Sequence, residues 1–137
     1  MNPGIVAALI VALVGVSTAL GLVWRARTGR VRAVDGNVVD LPEVPIGGKA
    51  TLLQFSTDVC APCVPTRRVL GEIANTTDGV THVDFDLTHR PDIAAQFNVL
   101  QTPTTLILDA YGTIRARIGG APRPAEVRAA LDTILAA

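Results

Sequence analysis

The stretch Thr51-Leu-Leu-Gln-Phe-Ser56-Thr-Asp-Val-Cys60-Ala-Pro-Cys63 decides how this chain folds. Its first six residues are mostly apolar and end in polar ones, as a buried strand does where it runs out into a loop. Cys60 and Cys63 are the only cysteines, and beyond them Val64, Val69, Leu70, Ile73 and Ala74 make an apolar stripe beside a face carrying Arg67 and Arg68. That spacing predicts a helix from Cys60 to about Asn75, with Pro62 and Pro65 in its opening turns, where a missing N–H costs little. A strand therefore delivers two cysteines to the start of a helix. There the helix dipole and free N–H groups favour a thiolate on Cys60, and Cys63, one turn further on, points to the same side. Cys60 is expected to attack a disulfide and Cys63 to resolve the product. A zinc site needs two more ligands, and only His82 and His89 remain, seven residues apart and off the usual ligand spacing. A purely structural disulfide would close so short a loop that it constrains little of the unfolded chain. Neither a metal nor a cofactor is called for.

Working outward, Val80 to Leu87 alternates at period two and predicts a second strand. Pro91 to Phe97 predicts a short helix and Thr104 to Leu108 a third strand. Asp109-Ala-Tyr-Gly112 predicts a turn into a fourth strand, Thr113 to Ile118. Gly119-Gly120 breaks the chain before an Ala- and Leu-rich helix, Pro124 to Leu135. A helical crossover between the first two strands implies parallel pairing and the tight turn an antiparallel pair. The expected class is α/β: a mixed sheet with helices on both faces.

Upstream, Gly4 to Trp24 is a run of 21 uncharged residues. As a helix it measures about 31 Å, against a hydrocarbon core of about 30 Å, so it predicts one transmembrane helix. A cleaved secretory signal would carry a positive n-region and an apolar stretch of only about 7 to 15 residues. Trp24 suits an interfacial aromatic, and Arg25, Arg27, Arg30 and Arg32 all follow the span. The positive-inside bias then places the rest of the chain in the cytoplasm, with an extracytoplasmic domain as the alternative. The same arginines also suit a solvated linker or contact with anionic lipid headgroups. Residues 1–27 are thus expected to form the anchor and its flank, 28–48 a Gly- and Pro-rich linker with an edge strand near Val31 to Val39, and 49–137 a single domain. Twelve basic residues balance twelve acidic ones, so nothing outside the Arg cluster supports a nucleic-acid partner.

With Gln101-Thr102-Pro103-Thr104 before the third strand, residues 50 to 136 resemble a thioredoxin. The resemblance implies a thioredoxin-like sheet and a cis proline at Pro103 packed against the two sulfurs. It also implies substrate contact through Ala61 and Pro62 between the cysteines and through the Thr102 backbone. Three family positions differ. Val59 stands where thioredoxins usually carry Trp, Ala61-Pro62 where they carry Gly-Pro, and Gln54 where they bury an Asp that assists the resolving thiol. Gln54 takes no proton, which leaves water or His82, near the family's lysine position, as a base; an ordinary strand histidine is the plainer role for His82. The Pro-Thr-Thr run at 103–105 is also similar to membrane-tethered thioredoxin-like proteins that reduce apocytochromes outside the bacterial membrane, which implies the opposite orientation. The function expected is a membrane-anchored thiol-disulfide oxidoreductase. Its partners are protein thiols or disulfides, an unidentified electron donor or acceptor, and the bilayer through residues 4–24. The alternative is a non-catalytic interaction module or redox switch at the membrane.

Overall fold

Seven consecutive residues, Ala50 to Ser56, are buried without exception, and this strand organises the molecule. The computed structural model describes residues 2–34 and 36–137; Met1, in the segment expected as anchor, and Asp35, in the segment expected as linker, lie outside the described residues. In chain order the elements are α1 (Pro3–Arg27), β1 (Val31–Ala33), β2 (Ala50–Ser56), α2 (Cys63–Thr76), β3 (Val80–Asp86), α3 (Pro91–Gln96), β4 (Thr104–Asp109), β5 (Ile114–Gly119) and α4 (Pro124–Ala136). They build one mixed sheet in the order β1-β5-β4-β2-β3. β2 pairs parallel with β3, from Ala50 opposite Val80 to Ser56 opposite Asp86, and antiparallel with β4. The expected turn closes the β4–β5 hairpin. Gly112 adopts φ 79°, and Asp109 Oδ1 accepts from the Tyr111 and Thr113 N–H groups at 2.9 and 3.0 Å.

Period-two alternation along β2 and β4 splits the core between the two faces of the sheet. Leu53, Phe55, Leu106 and Leu108 face one way, where Phe55 meets Phe85 edge-on at 6.0 Å and Phe97 at 5.6 Å. Leu52 and Ile107 face the other way, against Leu70 and Ile73 of α2 and Val127 and Leu131 of α4. Helices thus cover both faces, as expected.

Two local expectations need correction. α2 begins at Cys63, so Cys60 lies in the turn before it and Cys63 is its first residue. The prolines explain the shift: Pro62 disfavours helical backbone at Ala61 and Pro65 has no N–H to give, so the first i→i−4 bond of the helix is Thr66 N–H to the Pro62 carbonyl, at 3.3 Å. Residues 28–48 also do more than tether. Their regular edge strand is Val31–Ala33, antiparallel to β5, and irregular pairing continues through the Val38–Thr113 bridge to the Val39 N–H on the Gly112 carbonyl, while Val39, Leu41 and Val44 are buried in the Phe55 face of the core. Apolar residues in a Gly- and Pro-rich stretch give no helical period, yet among the described residues the short α3 is the one helix packed on this face.

α1 has 25 residues, is long and apolar enough to cross a membrane, and buries none of its side chains. Its end docks on the domain. Gly29 N–H donates to the Gly119 carbonyl at 2.9 Å, and Arg123 Nη2 donates to the Ala26 carbonyl at 3.2 Å. Gly29 sits at φ 76°, and a Cβ there would collide with the Ala121 carbonyl oxygen, so glycine is required. Register then brings separate features to one edge of the sheet. Val31 lies opposite Ile118, Gly119 opposite Thr104, Thr104 opposite Phe55, and Ser56 opposite Asp86. The exit of α1, the loop before β4 and the cysteine loop after β2 share that edge, with β1 and β2 three strand spacings, or about 14 Å, apart.

Candidate functional site

Because β2 ends at Ser56 and α2 begins at Cys63, the chain has six residues in which to turn from sheet to helix. It does so in tight turns: Cys60 N–H bonds the Thr57 carbonyl at 3.3 Å and Cys63 N–H the Cys60 carbonyl at 3.2 Å. That second turn brings the cysteines together as a disulfide with Cα atoms 5.4 Å apart. The two sulfur-bearing residues are not equivalent, since Cys60 keeps 9% of its surface exposed and Cys63 only 1%. Ala61 and Pro62 lie exposed between them.

Across the loop, the Thr102–Pro103 bond is cis, as the resemblance implied. Pro103 is buried and Thr102 half-buried, and the Thr102 hydroxyl lies 3.4 Å from that of Thr57. Gly120 N–H donates to the Pro103 carbonyl at 2.8 Å, which fixes this loop to the end of β5.

Beneath the disulfide, Gln54 is fully buried, and its Nε2 donates to the Cys63 carbonyl at 3.1 Å. A backbone carbonyl only accepts, so the amide oxygen must face the other way, where His82 Nε2 lies at 3.1 Å. His82 therefore carries its proton on Nε2 and donates to Gln54. Leaving either of these buried groups unpaired would cost roughly 1–3 kcal/mol. Burial pushes the His82 pKa below its ordinary value; Asp84 pulls it up and Arg67 adds to the depression, so the ring is neutral near pH 7.

Sequence reasoning passed over the neighbouring polar group. Ser56 Oγ donates to Asp84 Oδ1 at 2.5 Å, and Arg67 Nε donates to Asp84 Oδ2 at 2.5 Å. The signal was present, since the alternation of β3 sets Asp84 on the same face as His82, opposite Gln54. Ser56, Arg67 and Asp84, with Asp58, Asp86 and both cysteines, line a cavity of about 280 Å³. Three carboxylates against one guanidinium make its wall acidic. The Asp86 carboxyl lies below the usual carboxylate range because the Thr88 hydroxyl and N–H donate to it.

Comparison with known proteins agrees with this geometry. The model of the thioredoxin-like domain family matches residues 39–135. Among curated proteins, thioredoxin H5 of Oryza sativa subsp. japonica is 28% identical over 80 residues, 58% of this chain and 59% of that protein. Thioredoxin C-2 of Corynebacterium nephridii is 33% identical over 73 residues, 53% of this chain and 68% of that protein. The chain thus spans about six-tenths of the length of the rice relative. Among solved structures, a thioredoxin of Halobacterium salinarum superposes with a TM-score of 0.57 at 17% identity, covering 64% of this chain and 76% of that one. A Schistosoma mansoni thioredoxin gives 0.54 at 18%, covering 64% and 80%. Those two likenesses concern the fold alone. The chain belongs to the thioredoxin-like domain family. Membership and the joined cysteines support thiol-disulfide oxidoreductase activity at the level of the family.

The His82 contact has a pH signature. Above about pH 6.5 the ring is neutral in folded and unfolded chains alike. Below that, the unfolded chain takes up a proton that folded His82 resists, so stability falls with pH until the depressed folded pKa is passed, and then this contribution levels off. Urea midpoints of the full chain in detergent, measured from about pH 7.5 to pH 5, should fall less steeply in His82→Gln than in the wild type. Equal slopes would show that His82 titrates alike in both states.

Proposed function

We propose that this protein is a membrane-anchored thiol-disulfide oxidoreductase that exchanges disulfides with protein substrates through Cys60. The observation that carries this reading is the asymmetry of the pair: Cys60 retains an exposed edge while Cys63 is covered. In the reducing direction the Cys60 thiolate attacks a substrate disulfide, forms a mixed disulfide and displaces one substrate sulfur as thiolate. The Cys63 thiolate then attacks the Cys60 sulfur, closes the ring and releases the second substrate sulfur. Two electrons pass to the substrate, and an external thiol donor must restore the dithiol. In the oxidising direction the same steps run backwards.

Exposed apolar side chains beside the pair support a protein substrate. Val59 is 95% exposed, Val64 56% and, on the loop leading to Pro103, Leu100 86%. Ala61, Pro62, Thr102 and Pro103 complete the surface on which an extended substrate segment would lie. Gln54 and His82 act as a strut that holds the Cys63 backbone, because the His82 proton points into the amide. The turns before α2 still aim the start of that helix at the pair, and this favours the thiolate.

For anchoring, α1 lies in the bilayer, and Arg25, Arg27, Arg30 and Arg32 hold the domain on the cytoplasmic side. There the pair is kept mainly reduced, which suits a reductase.

Two measurements test these points. Cys63→Ser should trap substrates as mixed disulfides on a non-reducing gel, whereas Cys60→Ser should trap none; equal trapping by both variants would contradict the assigned order. In intact cells a membrane-impermeant maleimide should leave Cys60 unlabelled until the membrane is opened. Labelling of intact cells after mild reduction would place the domain outside.

A further inference from the structure

Away from the disulfide, a cluster of arginines lies where α1 meets the sheet. A cavity of about 490 Å³ opens there, lined by Trp24, Arg27, Arg30, Arg32, Arg117 and Gln101 among others. Among the described residues no carboxylate lines it. Among the described residues, Arg27, Arg30 and Arg32 make no ion pair and donate to no protein group. Arg117 gives two of its N–H groups to carbonyls, Phe97 at 2.8 Å and Asn98 at 2.5 Å. Burial lowers the Arg117 pKa from its ordinary value, and among the described residues no anionic partner offsets the lost hydration. Among the described residues Glu126 is an acid close to the junction, and it is already engaged, accepting from the Val31 N–H at 3.0 Å and from Arg123 at 3.3 Å.

Four guanidinium groups around one cavity repel one another unless an anion from outside sits among them. Guanidinium forks match the oxygens of a phosphate in pairs. We propose that this cavity binds a phosphate-class anion, either the phosphodiester of a lipid headgroup or free phosphate. The surroundings favour the lipid. Trp24 is an apolar ring at the end of the membrane-length helix, and Leu100, 86% exposed, brings a second apolar group to the rim. A headgroup with its phosphate among the arginines and its glycerol against Trp24 and Leu100 satisfies both kinds of surface. The site also touches the substrate side of the molecule. Arg117 holds the chain just before Leu100, and Gln101 is next to Thr102 and Pro103. An occupied site thereby fixes the cysteine edge of the sheet at headgroup depth. The inference rests on charge and shape at the anchor junction and stands whether or not the cysteine pair turns over.

Trp24 is the only tryptophan in the chain, so tryptophan emission arises at the rim of this cavity, and the phosphatidylcholine titration accounts for its response to the micelle. The full-length protein in neutral detergent is titrated with dihexanoyl phosphatidylglycerol, with dihexanoyl phosphatidylcholine and with inorganic phosphate. The expected result is a saturable change with phosphatidylglycerol that phosphatidylcholine does not produce. In the Arg30→Gln/Arg32→Gln double variant, half-saturation should move to about tenfold higher lipid or beyond. Both arginines are exposed, so the variant keeps its fold, which its far-UV circular dichroism verifies. A saturable, arginine-dependent response to inorganic phosphate without one to the lipid would support the site and assign it to free phosphate. Equal curves for the two lipids together with no response to phosphate, or curves unchanged in the double variant, would overturn it.

Discussion

The pairing of β2 on both of its sides constrains everything else in this molecule. With all seven residues buried, and with β3 parallel on one side and β4 antiparallel on the other, the strand cannot shift by one residue without exchanging the Leu53 and Phe55 face for the Leu52 and Gln54 face. That fixed register sets the site. It puts the chain leaving Ser56 beside the chain entering Thr104, so the cysteine loop and the cis-proline loop meet as a consequence of strand pairing. It also places a buried polar residue, Gln54, where its amide reaches the Cys63 carbonyl, and tethers the first residue of α2 to the sheet.

Much of this was legible in the sequence because the informative residues follow strong periods or rare types. Alternation fixed β3, the Asp109 to Gly112 turn fixed the hairpin, and a Cys-x-x-Cys between strand and helix fixed the site. Two kinds of information were not legible. The start of α2 depends on which of several prolines first permits an i→i−4 bond, and that is a property of backbone geometry and not of residue pattern. Val39, Leu41 and Val44 are core residues in a segment without helical period, where burial is decided by which face of the sheet has only the short α3 as its helix. The role of Asp84 was missed for a related reason. Its partners Ser56 and Arg67 come from β2 and α2, so the triad exists only once β3 has paired.

The membrane-length helix α1 and the domain meet at the edge of the sheet that bears the cysteines. Gly29, unable to carry a side chain against Ala121, lets the chain leave α1 and enter β1 at once, so little free linker separates the membrane-length helix from the sheet. A domain held in this way does not sweep a large volume on a flexible tether. In the proposed reading its substrates come to it near the bilayer surface, with the arginines of the junction nearest the headgroups and Val59 and Leu100 ready to meet a protein segment.

The central claim is that the Cys60–Cys63 pair turns over protein disulfides. It is tested most directly by the rate at which the full-length protein in detergent reduces the interchain disulfides of insulin, with dithiothreitol as the electron source. The account predicts reduction clearly faster than dithiothreitol alone, falling to that background in Cys60→Ser. A wild-type rate no greater than that of Cys60→Ser, in protein shown to be folded, would contradict the account and favour a non-catalytic thioredoxin-like interaction module.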